Sequence, residues 1–222
     1  MKSKKTRETI LDVSIDLFNQ KKASNVSTVQ ISAAMKISPG NLYYYYANKE
    51  DVIRCIWEER MASVVNELLE KTENIKSAAD MLDYLKEWME YLINYRFFYT
   101  ELSTLFINDE KLVELYQDTY KKMRDTFTDL VVRFGEEGYI INDDDVSKIL
   151  SVQSAVASAV HMLNRYDVYS DKGINDEAFI GYSWIRIIAA LDPIFESGFK
   201  AEIDAELTAR GFCKERYMET VK

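Results

Sequence analysis

The sequence is short of the residues that interrupt helices and make tight turns. Only 2 prolines and 7 glycines occur in 222 residues, where average usage of roughly 5% and 7% would supply about 11 and 15. An all-β fold, which depends on frequent tight turns, is therefore disfavoured. The two cysteines, Cys55 and Cys213, have no CxxC or Cys/His spacing, so neither a disulfide framework nor a zinc site is expected. There is a single histidine, His161, and no nucleophile elbow, HExxH or phosphate-binding glycine loop, which argues against an enzyme. No metal or cofactor is expected. Long hydrophobic runs are also missing. Glu8, Asp12 and Asp16 interrupt what would be a signal-peptide core. The weakly polar stretch from Leu150 to Leu163 carries Ser151, Gln153, Ser154, Ser158 and His161 and is short for a membrane span of about 20 residues. These absences together lead to an expectation of a cytoplasmic protein with no membrane partner.

Hydrophobic residues, by contrast, make up 47% of the chain and aromatic residues 13%, enough to build a sizeable core. The formal net charge is −9, which taken alone argues against a nucleic-acid partner. The distribution argues otherwise. Residues 1–54 hold nine basic and five acidic residues, so the remainder carries the whole excess of negative charge. A basic DNA-contacting head on an acidic body has this asymmetry, because phosphate contacts supply most of the affinity; a solvated lysine tail on an acidic protein would have it too.

Periodicity reads as helix throughout. Ile10, Leu11, Ser14, Leu17 and Phe18 share one face of a first helix over about 5–21. Ser27 and Gln30 have the form of a capping box opening a short helix over about 28–35. Ser38-Pro39 opens a third, to about Tyr46, with serine as N-cap and proline at the first helical position. Asn48 caps a long fourth helix, with Glu50 and Asp51 in its first turn. Further segments are expected over 77–97, 100–107, 109–134, 143–164, 176–197 and 200–210, with Gly135, Gly138, Gly173, Gly198 and Gly211 near their ends and a polar loop over 167–175. The fold class expected is all-α, with a helix-turn-helix domain over 1–50 and a larger helical bundle over 51–222.

Two short helices separated by Lys36-Ile37-Ser38 have the layout of a helix-turn-helix. Gly40 leaves no side chain between the third helix's first turn and a phosphate. Leu42 and Tyr46, four apart, can face inward, leaving Asn41, Tyr44 and Tyr45 free to reach base edges or backbone oxygens. Core packing is the competing role for the tyrosines, strongest for Tyr46, even for Tyr43 and weakest for Tyr44. Lys2, Lys4, Lys5 and Arg7 read equally as a DNA-binding arm and as a solvated tail.

Ile10-Leu11, Leu17-Phe18, Ser27, Ile31, Ser32, Ala34, Ile37-Ser38, Gly40-Asn41-Leu42-Tyr43-Tyr44 and Lys49-Glu50, in this order, resemble the TetR family of bacterial transcriptional regulators. Tyr95-Arg96-Phe97-Phe98-Tyr99 with Glu101-Leu102 resembles a segment of the subgroup called bacterial transcriptional repressors. Lys22 and Lys36 stand where that family commonly has glycine, and a left-handed backbone there costs another residue about 1–2 kcal/mol. The resemblance implies a homodimer on a palindromic operator in double-stranded DNA, with recognition helices roughly 34–36 Å apart or somewhat more. It implies that Ser27, Thr28, Ser38, Tyr43 and Lys49 touch phosphates, that Gly40, Asn41, Tyr44 and Tyr45 lie at or near base edges, and that Pro39 belongs to the same face. A ligand-responsive repressor is the expectation, and a helical adaptor that binds protein rather than DNA is the alternative.

The resemblance also implies an effector pocket in the aromatic-rich body, with Trp57, Met61, Trp88, Tyr91, Tyr95, Leu102, Tyr120 and Met123 as expected walls and an aromatic or lipophilic small molecule as occupant. Glu87, Glu90 and Glu101 would suit a lipophilic cation, although exposed glutamates are the more ordinary reading; Arg96 or Arg124 would suit an anionic acyl compound. Ser151, Ser154, Ala155, Ser158 and Met162 form a stripe of mostly small side chains beside an apolar stripe of Val146, Ile149, Gln153, Val156 and Val160. The small stripe, with Trp184, Ile188 and Leu191 of the following helix, is the expected dimer interface, as a four-helix contact across a two-fold axis, and burial within one chain is the alternative.

Overall fold

The computed structural model describes residues 2–141, 145–171 and 175–212. Among these the chain forms α1 (Lys2–Lys21), α2 (Thr28–Ala34), α3 (Pro39–Tyr43), α4 (Lys49–Ile56), α5 (Ala62–Glu70), α6 (Ala78–Asn94), α7 (Arg96–Thr100), α8 (Leu102–Asn108), α9 (Glu110–Glu136), α10 (Asp145–Leu163), α11 (Tyr166–Asp171), α12 (Asp176–Leu191) and α13 (Ser197–Ala209). The only pairing of β type among the described residues is an isolated antiparallel bridge between Ile140 and Phe195. The all-α expectation holds. Cys213, Gly173 and the expected helix start at Asp143 lie outside the described residues.

Several boundaries differ for identifiable reasons. α3 ends at Tyr43 rather than Tyr46, the chain continuing as a turn in which Tyr45 N–H bonds back to Leu42 O at 2.9 Å. The expected 77–97 helix breaks at Tyr95, which has φ −117° and ψ 31°. The expected 176–197 helix stops at Leu191 because Pro193 follows; a short 3-10 turn, Asp192–Ile194, replaces its end. Part of the expected 167–175 loop is helical, as α11. Between α4 and α5 the long fourth helix widens into a π turn over Trp57–Met61, a local geometry that recurs at functional sites.

The chain packs as two compact units, residues 1–67 with 94–121, and residues 68–93 with 122–222. The expected boundary at residue 50 thus falls inside the first unit.

In the first unit, Ile10, Leu11, Phe18, Ile31, Leu42, Tyr46, Val52, Ile56, Trp57 and Met61 are buried. Ser14, on the apolar face of α1, is tolerated there because its hydroxyl donates to Ile10 O at 2.6 Å. Trp57 stacks on Phe98 at 5.0 Å between centroids and packs against Tyr116 at 5.2 Å, while Phe18 meets Phe97 at 5.2 Å. Arg7 is neither arm nor tail. It lies within α1, its guanidinium bonded to both Glu59 carboxylate oxygens and lying over the Tyr46 ring at 5.3 Å. That hydrogen-bonded guanidinium holds the Glu59 carboxyl below its ordinary 4.5. The pair's contribution is therefore complete above that value and is lost as pH falls through the lower folded value.

In the second unit α10 lies along α12, burying Ala155, Ala159, Met162 and Leu163 with Phe179, Ile180, Trp184, Ile187 and Ile188. Gly181 has a specific reason: a Cβ there would come within 2.0 Å of the Phe212 ring. Arg133 donates to Thr72 O at 2.7 Å and Ile75 O at 3.1 Å, and Arg210 bonds Asp83 at 2.6 Å while lying over Trp184 at 5.5 Å. The α10 window Val146–Leu163, at 18 residues and mean hydropathy 1.2, reaches the length and composition needed to cross a membrane. It is longer than the Leu150–Leu163 stretch weighed from sequence. Packing against α12 gives its buried third a role within the chain.

Candidate nucleic-acid interface

The helix-turn-helix is assembled by short-range chemistry that the sequence spells out. Ser27 Oγ accepts Gln30 N–H at 3.3 Å and Gln30 Oε1 accepts Ser27 N–H at 2.7 Å, a complete capping box on α2. Ser38 Oγ accepts Asn41 N–H at 3.2 Å at the start of α3, and Asn48 Oδ1 accepts Asp51 N–H at 2.7 Å at the start of α4. Between α2 and α3 the chain turns at Lys36, with φ 57°, and Ile37 N–H returns to Ser32 O at 3.0 Å. Lys22, after α1, has φ 67°. Both lysines therefore hold a positive-φ backbone despite its cost for a non-glycine residue, and the turns close without glycine.

Leu42 and Tyr46 point inward and are buried, and Tyr46 OH donates to Arg7 O at 3.1 Å. Burial in this apolar setting pushes the Tyr46 phenol well above its ordinary range, so it stays a neutral donor. With the inner face sealed, the outer face is polar and aromatic. Ser27, Ser38, Pro39, Gly40, Asn41, Tyr43 and Tyr44 are exposed; Thr28 and Tyr45 are half-buried. Tyr44 is 78% exposed, and its ring meets Tyr45 edge-on at 5.1 Å. Tyr43 OH and Thr28 Oγ1 lie 2.9 Å apart, joining α3 to the start of α2 on the solvent side. A Cβ on Gly40 would meet nothing within 4 Å, so the chain's own packing does not require glycine there.

Lys49, for which the resemblance implies a phosphate contact, is half-buried and has a partner within the chain. Its ammonium donates to Ala23 O at 2.7 Å, which ties the start of α4 to the turn after α1. One further residue holds the same turn, and another ties α1 to α7. Glu101 accepts the N–H groups of Ala23 and Ser24, and Asn19 bridges Asn94 O and Phe97 N–H at 2.7 and 3.1 Å. Each partner is more than seventy residues away along the chain, beyond the reach of any periodicity.

The residues expected to wall an effector pocket divide between the two units. Trp57 and Met61, both in the π turn, are buried in the first; Tyr95 and Leu102 are half-buried there and Tyr120 is exposed. Trp88 and Met123 are half-buried and Tyr91 is buried in the second, where Trp88 meets Tyr91 and Phe127 at 5.8 and 6.0 Å. Among the residues weighed for ligand charge, Glu87 pairs with Lys71, Glu90 lies 3.3 Å from Lys86, and Arg124 lies 2.8 Å from Asp125. Glu101 is engaged with backbone. Among the described residues no group of three or more His, Cys, Asp or Glu side chains stands where it could hold a metal ion.

Most of the small-residue stripe on α10 turns inward. Ser151, Ala155 and Met162, together with Trp184 and Ile188, are buried within the single chain, while Ser158 and Leu191 are half-buried and Ser154 is exposed. The outward face carries instead the neighbouring apolar stripe, with Val146, Ile149, Leu150 and Val156 between 47 and 63% exposed. Small side chains let α10 lie close on α12, and that close packing hides them.

Comparison with known proteins agrees with this geometry. Residues 10–55 match the family described as bacterial regulatory proteins, tetR family, and residues 60–203, well over half the chain, match that described as bacterial transcriptional repressor. The HTH-type transcriptional regulator AcrR of Shigella flexneri is 32% identical over 85 residues, covering 38% of this chain and 39% of the relative. A TetR-family transcriptional regulator from Marinobacter aquaeolei superposes with a TM-score of 0.72 at 24% identity, over 96% of this chain and 98% of that one. A transcriptional regulator from Saccharomonospora viridis, solved in complex with choline, superposes with a TM-score of 0.65 at 15% identity, over 87% and 99%. The chain belongs to the tetR family of bacterial regulatory proteins.

Proposed function

We propose that this protein is a sequence-specific DNA-binding transcriptional regulator, a homodimeric repressor that leaves a palindromic operator when a small aromatic or lipophilic molecule binds the helical body. One observation carries the DNA-binding part. α3 and the turn after it seal their inner side with Leu42 and Tyr46, yet present Ser38, Gly40, Asn41, Tyr43 and the 78% exposed Tyr44 on the outer side. A protein-binding adaptor would have no use for a glycine that packing does not require beside a row of exposed hydrogen-bonding groups. Footprinting on DNA flanking the gene, at two salt concentrations, tests the proposal. A protected palindrome is expected, with log affinity falling against log salt by roughly 0.9 per phosphate contacted. Salt-independent binding, or none, would favour the adaptor.

Assembly is proposed through the outward face of α10. Exposed Val146, Ile149, Leu150 and Val156 form one apolar stripe on the second unit, the kind of surface that a two-fold contact would cover. Ile149→Asp with Val156→Asp is expected to yield monomers in sedimentation while leaving helicity intact, because both positions face solvent in the single chain. A variant that sediments as a dimer would place the contact elsewhere.

A further inference from the structure

The turn between α1 and α2 is held in a conformation that its own residues do not favour. Lys22 has φ 67°, and Ala23, next to it, is fully buried. Because only Asn25 and Val26 separate this turn from the N-cap of α2, its placement sets where α2 begins.

Two side chains from distant sequence supply what the turn lacks. The Glu101 carboxylate accepts two consecutive backbone donors, Ala23 N–H through one oxygen and Ser24 N–H through the other, the latter at 3.2 Å. Lys49 Nζ donates to Ala23 O at 2.7 Å. Glu101 lies at the junction of α7 and α8, immediately after the five residues of α7. At the other end of α7, Asn19 of α1 accepts Phe97 N–H at 3.1 Å and donates to Asn94 O at 2.7 Å. Thus α7 is pinned at its start to α1 and at its end to the turn that follows α1.

Between these two pins α7 carries Phe98, which stacks on Trp57 at 5.0 Å with an interplanar angle of 18° and approaches Tyr116 at 6.1 Å. A movement of this aromatic stack therefore moves the short helix whose ends hold the head. A carboxylate suits the task because it offers an acceptor to each N–H with full charge assistance. An amide in its place would keep one acceptor and turn an NH2 group toward the second N–H.

We propose that Glu101 is the positioning residue that couples the aromatic stack of Trp57, Phe98 and Tyr116 to the DNA-reading helices, by holding the Ala23-Ser24 turn to the end of α7. The inference rests on the DNA-binding reading above. Glu101 itself touches no DNA; it acts through the two amides it holds.

The test combines site-resolved amide hydrogen exchange with operator binding, on the full chain, using the DNA that the wild-type protein protects. In the wild type, Ala23 and Ser24 amides are expected to be protected although they lie outside a continuous α-helix. Glu101→Gln should lose protection at one of the two and bind operator about threefold more weakly. Glu101→Ala should lose both and bind at least tenfold more weakly, with the salt dependence of affinity unchanged because no phosphate contact is removed. Phe98→Leu, which shrinks the stack without touching the turn, should raise exchange at the same two amides severalfold.

Operator affinity within twofold of wild type in Glu101→Ala, despite loss of protection, would overturn the coupling role. Unprotected Ala23 and Ser24 amides in the wild type would overturn the bond itself, and unchanged exchange in Phe98→Leu would detach the stack from the turn. Glu101→Gln keeps the shape of the side chain, so the series stays decisive even if Glu101→Ala folds poorly. Failure of the wild type to bind any DNA is a separate result, and it would remove the DNA-binding reading on which the proposal stands.

Discussion

Replacing Trp57 by alanine is expected to destabilise the protein by about 3–5 kcal/mol, the usual cost of truncating a buried tryptophan in a packed core. The site has little room to relax. Trp57 is 2% exposed, stacks on Phe98 at 5.0 Å and touches Tyr116 at 5.2 Å, and it begins the π turn at the middle of the long fourth helix. Removing it leaves the Phe98 and Tyr116 rings short of partner atoms in a packed core. Urea unfolding followed by far-ultraviolet circular dichroism would measure the loss. Ile107→Ser is the control, since Ile107 is 85% exposed and a surface change of this kind should stay within about 0.5 kcal/mol. A Trp57→Ala loss no larger than the control's would mean that the aromatic stack does not carry the first unit's core.

The second large effect falls on binding alone. Tyr44→Ala is expected to weaken operator binding by about tenfold to a hundredfold, the range set by roughly 1–3 kcal/mol for a good base-edge contact, while the unfolding midpoint stays where it was. The separation follows from exposure: at 78%, Tyr44 contributes almost nothing to the core, and its ring meets that of its sequence neighbour Tyr45. Lys49→Met should behave differently. Its ammonium is bonded to Ala23 O, so the substitution is expected to loosen the α1–α2 turn and lower stability and affinity together. Operator titrations by fluorescence anisotropy, paired with thermal melts, would check both. Unchanged affinity in Tyr44→Ala would move the reading face away from the outer side of α3.

The helix-turn-helix was legible because its instructions are local. Ser27 with Gln30, Ser38 with Pro39, and Asn48 with Asp51 each satisfy orphan backbone groups within three residues, so order of letters is enough to read them. The inward turn of Leu42 and Tyr46 was legible for the same reason, since residues four apart share a helix face. The fate of Arg7 was not. In a basic N-terminal segment it reads equally as DNA-binding arm and as solvated tail, and only the arrival of Glu59 from the π turn after α4 makes it a structural ion pair. The α10 stripe shows the opposite limit. Periodicity correctly separates a small-residue face from an apolar one, but which of the two meets α12 depends on how α12 lies, and it is the small face that packs closely.

By itself, then, the sequence determined the helical class, the caps and the division of the α3 region into a core face and an outer face. All of these rest on forces acting within one or two helical turns. Tertiary structure alone decided that Lys49 and Glu101 both hold the turn around the buried Ala23, that Asn19 pins α7, and that α10 leaves Val146, Ile149, Leu150 and Val156 exposed. These contacts join residues that lie tens of positions apart in the chain. Their free energy depends on which surfaces the helices bring together, and no spacing in the sequence encodes that.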